Sequence, residues 1–174
     1  MADATSKHRG SGKWGRDDVP KTGWRCTSVI DSVGDDGGSL HVTCEMCECT
    51  LIRYVHTMEH PDYPESLECG CICAGAMEEN PRRAHERELY ARRHDRFDKR
   101  KGWKKLESGS YLLKVDRYAI LAFRRGDGWK LRVEHSRTKE FLWGTVTHPD
   151  IKTAKRAGLH ALTAAKKVLK EEHA

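Results

Sequence analysis

No run of about 18 apolar residues occurs in the 174-residue chain, which leaves no candidate for a membrane-spanning helix. The first twenty-five positions are polar and glycine-rich and lack the apolar stretch that directs secretion. Apolar residues are scarce throughout: 37% of the chain is hydrophobic, 33% is charged and the mean hydropathy is −0.76. This content suits one medium domain or two small ones with a lean core, and excludes a large multidomain enzyme. No glycine-rich phosphate loop follows any apparent strand. The expectation is a cytoplasmic chain with no membrane partner. Positive charge is in mild excess, with 32 Lys and Arg against 26 Asp and Glu, a net +6 and a pI of about 9.0, which favours an acidic partner.

Cysteine is plentiful. Cys26, Cys44, Cys47, Cys49, Cys69, Cys71 and Cys73 are odd in number, and six of them share one stretch. A disulfide framework would strand one thiol and would not persist in a reducing compartment, so metal binding explains them better. Cys44-Glu-Met-Cys47 and, roughly twenty residues on, Cys69-Gly-Cys71-Ile-Cys73 place paired thiolates on tight turns, the requirement of a tetrahedral Zn²⁺ site of the zinc-knuckle kind. Cys44 and Cys47 are the safest pair, Cys73 closes the second knuckle and Cys71 is the expected fourth ligand, with Cys26, Cys49, Cys69 and His60 competing for that place. One zinc is expected, although the thiols with His41, His56 and His60 could fill two sites.

Catalytic zinc and thiol chemistry fit less well. The interval from Cys47 to His56 is too short for a Cys₂His₂ finger, and Ile52, Tyr54, His56 and Met58 alternate with Arg53, Val55 and Thr57 as in a half-buried strand. His56 is therefore expected as a strand residue. The Cys47–Arg53 interval has the length of a thiol-phosphatase loop but no glycine to present amides to phosphate. Glu59 is misplaced for a His-Glu-x-x-His metalloprotease, and the deaminase His-x-Glu and Pro-Cys-x-x-Cys order is missing. A surplus of thiolates would saturate the ion, so a structural metal and no enzymatic activity are expected.

The segments Cys44-Glu-Met-Cys47, Ile52-Arg53-Tyr54-Val55-His56, His60-Pro61-Asp62-Tyr63-Pro64-Glu65 and Gly70-Cys71-Ile72-Cys73-Ala74 resemble a group of poorly characterised bacterial and phage-type proteins. These share a CxxC, an IRYVH strand, an HPxYPE turn and a GCxCA knuckle. The resemblance covers about residues 24–80 and implies a zinc-binding module without an established activity. In that pattern a glycine follows the CxxC and a valine precedes the GCxCA glycine. Cys49 and Cys69 depart from it, which weakens both as ligands and leaves a second metal open.

The expected organisation is α+β, with four parts. Residues 1–22, with Lys7, Arg9, Lys13 and Arg16, read as a disordered basic arm. Residues 23–79 form a β-rich zinc module with a turn at Gly34–Gly38 and a strand near Leu40–Thr43. Residues 80–106 are a basic helix and linker, opened by Asn80-Pro81 and stopped at Gly102. Residues 107–174 form a three- or four-stranded antiparallel sheet, with a hairpin at Gly126-Asp-Gly128, packed by one helix over about 150–171. The order of that last part resembles a double-stranded-RNA-binding domain, but the helix at 81–101 is too polar to serve as that fold's first helix. Trp129 and Trp143 are explained as core residues of the sheet.

Function is expected to follow charge. The arm, the terminal helix and above all Arg82, Arg83, Arg87, Arg92, Arg93, Arg96, Arg100, Lys104 and Lys105 would bind nucleic acid, DNA or RNA, by salt-sensitive contacts to phosphate. The other reading is a protein-binding adaptor or inhibitor, encoded by a phage or mobile element, whose cationic surface meets an acidic host protein that handles nucleic acid.

Overall fold

The alternating segment after Cys47 becomes the centre of a sheet. In the computed structural model, which describes residues 10–33 and 42–171, β4 (Tyr54–His60) lies between β1 (Arg25–Asp31) and β5 (Tyr63–Cys69), antiparallel to both. A half-buried strand was the expectation. As the central strand, β4 buries both parities instead, with Tyr54, Val55, His56 and Met58 all inaccessible. A separate ribbon pairs β2 (Val42–Thr43) with β3 (Leu51–Ile52) and carries Cys44–Thr50 as its connection. The Gly34–Gly38 turn and the start of the Leu40–Thr43 strand lie outside the described residues, as do Lys7 and Arg9.

Residues 10–22 are not a solvated arm. Gly12–Gly15 form a 3-10 turn, Trp14 packs against the core and Val19 is only 1% exposed within it. Glycine is required at position 12, where φ is +63° and a Cβ would sit 2.7 Å from the Cys47 carbonyl carbon. Ser11 Oγ donates to the Cys47 carbonyl at 2.9 Å, and Trp24 Nε1 donates to the Pro20 carbonyl at 2.8 Å. Two short apolar anchors on an irregular backbone leave no periodicity to read, which is why the sequence suggested disorder.

Two helices follow β5. In α1 (Cys71–Met77), Gly75 lets the next helix approach, since a Cβ there would lie 2.7 Å from Pro81 Cα. In α2 (Pro81–Asp95), Asn80 is the N-cap as expected, its Oδ1 accepting the Arg83 N–H at 3.0 Å. The helix ends at Asp95, short of Gly102, because Phe97 leaves it to be buried at 4% exposure.

The chain divides into two compact units, Met1–Arg92 and Arg93–Ala174. The second is an antiparallel sheet of five strands in the order β10-β9-β8-β7-β6, one strand more than expected at most. Its members are β6 (Lys104–Lys105), β7 (Tyr111–Val115), β8 (Tyr118–Arg125), β9 (Gly128–His135) and β10 (Phe141–Trp143). Lys104 and Lys105, expected in the linker, form its short edge strand. One face carries Leu113, Val115, Ile120, Ala122, Leu131 and Val133, all buried, and α3 (Ile151–Glu171) packs on that sheet with Ala154, Leu159, Leu162 and Ala165 buried. Asp150 caps α3, its Oδ1 accepting the Thr153 N–H at 2.8 Å. Among the described residues no helix is long and apolar enough to cross a membrane.

Val19→Ala is expected to destabilise the first unit by about 2 kcal/mol, read as faster amide exchange across β4. Unchanged exchange would mean that residues 10–22 add no stability.

Candidate functional site

The Cys44–Thr50 loop folds as a knuckle because its backbone closes on itself. The Cys44 N–H donates to the Thr50 carbonyl at 2.9 Å and the Glu48 N–H to the Cys44 carbonyl at 2.8 Å, with Glu48 at a φ of 56°. The Glu45 N–H then donates to the Glu68 carbonyl at 2.9 Å and fastens the knuckle to β5. Cys73, in the first turn of α1, is carried to the same place. The sulfurs of Cys44, Cys47 and Cys73 lie within 4.8 Å of one another, and all three residues are buried. Such a group could hold a metal ion.

Cys69 is buried beside Cys44 but is not one of the three. The Cys69 and Cys73 thiols hold Cys44 below the usual thiol range. The neighbouring Cys44 sulfur and burial push Cys69 and Cys73 upward, while burial pushes Cys47 up. The Gly70 N–H donates to Cys44 Sγ at 3.4 Å, and the Cys69 thiol donates to Met77 Sδ at 3.6 Å. The Trp14 indole N–H is buried without a hydrogen-bond acceptor.

Cys71 does not join Cys44, Cys47 and Cys73. The backbone changes period at Gly70, from two in β5 to 3.6 in α1, and two residues apart on α1 Cys73 reaches one cluster and Cys71 another. Cys71 meets His56 and Glu88, their ligand atoms also within 4.8 Å of one another. Burial holds His56 neutral by pushing its pKa down, and burial followed by the Glu88 charge pushes Cys71 up to about 11. Cys26 Sγ lies 3.9 Å from His56 Nδ1. Of the other candidates, Cys49 is exposed, bonded by the Ser11 hydroxyl at 3.6 Å, and His60 Nδ1 accepts the Asp62 N–H at 3.0 Å. His41 lies outside the described residues.

The basic helices are largely engaged within the chain. Arg82 pairs with Glu86, Arg87 with both oxygens of Glu78, and Arg92 with Glu88 while lying over the Tyr54 ring. Arg100 lies over Phe97. On α3, Lys155 sits 3.9 Å from the Tyr111 ring centroid, Arg156 pairs with Asp98 and Lys166 with Asp116. Arg83, Arg93, Arg96, Lys104 and Lys105 are exposed.

The face of the five-stranded sheet opposite its buried row is unlike an ordinary solvated surface. Register aligns Lys104, Leu112, Leu121, Arg132 and Trp143 across all five strands, with Phe123 opposite Lys130 and Phe141 opposite Glu134. Phe141 and Trp143 are 49% and 50% exposed. Trp143 meets Phe123 and Phe141 edge-on, with centroids 5.7 and 5.8 Å apart, and the Arg132 guanidinium lies over both Phe141 and Trp143 at 5.5 and 5.6 Å. Trp129 points to the other side, against Tyr111. Of the two tryptophans expected in the core, Trp143 is instead displayed, since β10 is an edge strand.

Protein-family models, curated proteins and solved structures gave no match to the chain, so function is read from the chemistry of the two clusters and the sheet face. Alkylation by iodoacetamide under native conditions is expected to modify Cys49 first and to spare Cys44, Cys69 and Cys73 until the protein unfolds. Peptide mapping by mass spectrometry gives the order, and early labelling of Cys69 or Cys73 would contradict the buried cluster.

Proposed function

We propose that the protein is a non-enzymatic, zinc-stapled module that binds single-stranded nucleic acid on the open face of its C-terminal sheet. Zn²⁺ would be held by Cys44, Cys47 and Cys73 with Cys69 as the fourth thiolate. Four sulfurs suit a closed, tetrahedral, structural site, and metal binding of order 10 kcal/mol would support a small core. The Gly70 amide supplies an outer donor of the kind that thiolate-rich sites use.

The observation that carries the binding reading is the exposed pair Phe141 and Trp143, with Arg132 stacked on both and the half-buried Phe123 edge-on to Trp143. Exposed aromatics on a sheet accept unstacked bases, and cations set between them meet the backbone, the combination used by proteins that hold single strands. Lys104, Lys130 and Lys114 lie on that face or along its edge strands and supply the charge. The arginines of α2 expected to form the interface contribute less in this reading, because Arg82, Arg87 and Arg92 are already paired. The exposed Arg93 and Arg96 remain available for further phosphate contacts.

Fluorescence anisotropy with a labelled 12-nucleotide single strand at 50 mM salt tests this. Trp143→Ala is expected to weaken binding by about 1–3 kcal/mol, roughly 5- to 150-fold. With three phosphate contacts, log affinity should fall with log salt at a slope of about −2. Absence of binding by the unaltered protein, or equal binding by Trp143→Ala, would reject the sheet face and favour an acidic protein as partner.

A further inference from the structure

We propose a second metal site, independent of the four-thiol cluster, formed by His56 Nε2, Cys71 Sγ and Glu88 Oε2, that takes a borderline divalent cation such as Zn²⁺. Three elements converge on it: the central strand β4, the first residue of α1 and the second turn of α2. The three ligand atoms lie within 4.8 Å of one another. His56 is completely buried, yet its Nε2 has no hydrogen-bond partner. A buried imidazole nitrogen without a partner is costly, and native structures rarely leave one. The nearest candidate, Glu88 Oε2, stands off at 3.6 Å. That is too long for a hydrogen bond, but it matches the edge of a tetrahedron whose nitrogen and oxygen ligands sit about 2.1 Å from a central ion, roughly 3.4 Å.

The surroundings orient each ligand. Arg92 takes Glu88 Oε1, which leaves Oε2 for the cluster. Cys26 Sγ, 3.9 Å from His56 Nδ1, can accept the proton on that nitrogen and leave the Nε2 lone pair free. Arg87, the cation beside Cys71, is neutralised by its paired contacts with Glu78. A His–Cys–Glu set mixes soft and hard donors, which suits zinc rather than Mg²⁺ or Ca²⁺, with their all-oxygen preference. Three protein ligands leave the fourth position to water, and the partial exposure of Cys71 and Glu88 admits it.

The test is zinc titration of the full chain followed by native mass spectrometry. Two ions per unaltered chain are expected, one in Cys71→Ser, and an at least tenfold weaker second ion in Glu88→Gln. Cys47→Ser should keep the ion that Cys71→Ser loses, so failure of the four-thiol site and failure of this one give different patterns. Glu88 is partly exposed and its replacement is isosteric, so that variant decides the matter should Cys71→Ser fail to fold. Ion content in Glu88→Gln equal to that of the unaltered chain, at equal affinity, would overturn the proposal.

Discussion

Four thiols, three of them at or below 1% exposure and the fourth at 3%, are packed where the Cys44–Thr50 knuckle, the end of β5 and the first turn of α1 meet. Polar sulfur clusters of this kind are tolerated in a core only when their protons and lone pairs are used. Here the Cys69 thiol donates to Met77 Sδ, the Gly70 N–H donates to Cys44 Sγ, and the neighbouring Cys69 and Cys73 thiols favour the ionised form of Cys44. The rest of the N-terminal unit is arranged around that point. Gly12 and Ser11 close over the Cys47 backbone, Trp14 and Val19 pack from the same segment, and the Glu45–Glu68 link holds the two-stranded ribbon to β5. A divalent cation in place of the shared protons would tie the same four points together more strongly than hydrogen bonds do.

The two units solve the shortage of apolar residues differently. Residues Arg93–Ala174 use a meander with one buried face and an amphipathic helix, as many small α+β domains do. The first unit surrounds its sulfurs with Trp24, Met46, Met58, Leu67 and Met77, a small core for its length. Burial explains why the aromatic residues of β10 are conspicuous. The sheet has already satisfied its need for a core on the α3 side, so Phe141 and Trp143 add nothing to that core and stand exposed on the opposite face.

Sequence periodicity made the second unit legible. Gly126-Asp-Gly128 and the three- and four-residue spacing of Ala154, Gly158, Leu162 and Ala165 predict the β8–β9 hairpin and α3 to within a residue or two. Asn80-Pro81 likewise marks the start of α2. Cys44, Cys47 and Cys73 were recognisable as candidates from spacing alone, whereas Cys71, expected with them, lies with His56 and Glu88 instead. Spacing counts residues, but which side a cysteine faces depends on where the strand gives way to helix, and Gly70 places that change immediately before Cys71. Glu88 had no signal at all, because it reaches His56 and Cys71 from a different helix, and long-range convergence leaves no local pattern. On the basic helix, the pairs of Arg82 with Glu86 and Arg92 with Glu88 follow the local i,i+4 spacing, whereas the pairing of Arg87 with Glu78, nine residues back and outside the helix, leaves no such pattern.

Amide hydrogen exchange across the whole chain, before and after treatment with a zinc chelator, addresses the central claim most directly. If a cation on the thiol cluster stabilises the first unit, chelation removes protection throughout β4, β5 and α1 while β8, β9 and α3 keep theirs. Unaltered protection in β4 and β5 after the metal has been stripped would contradict it.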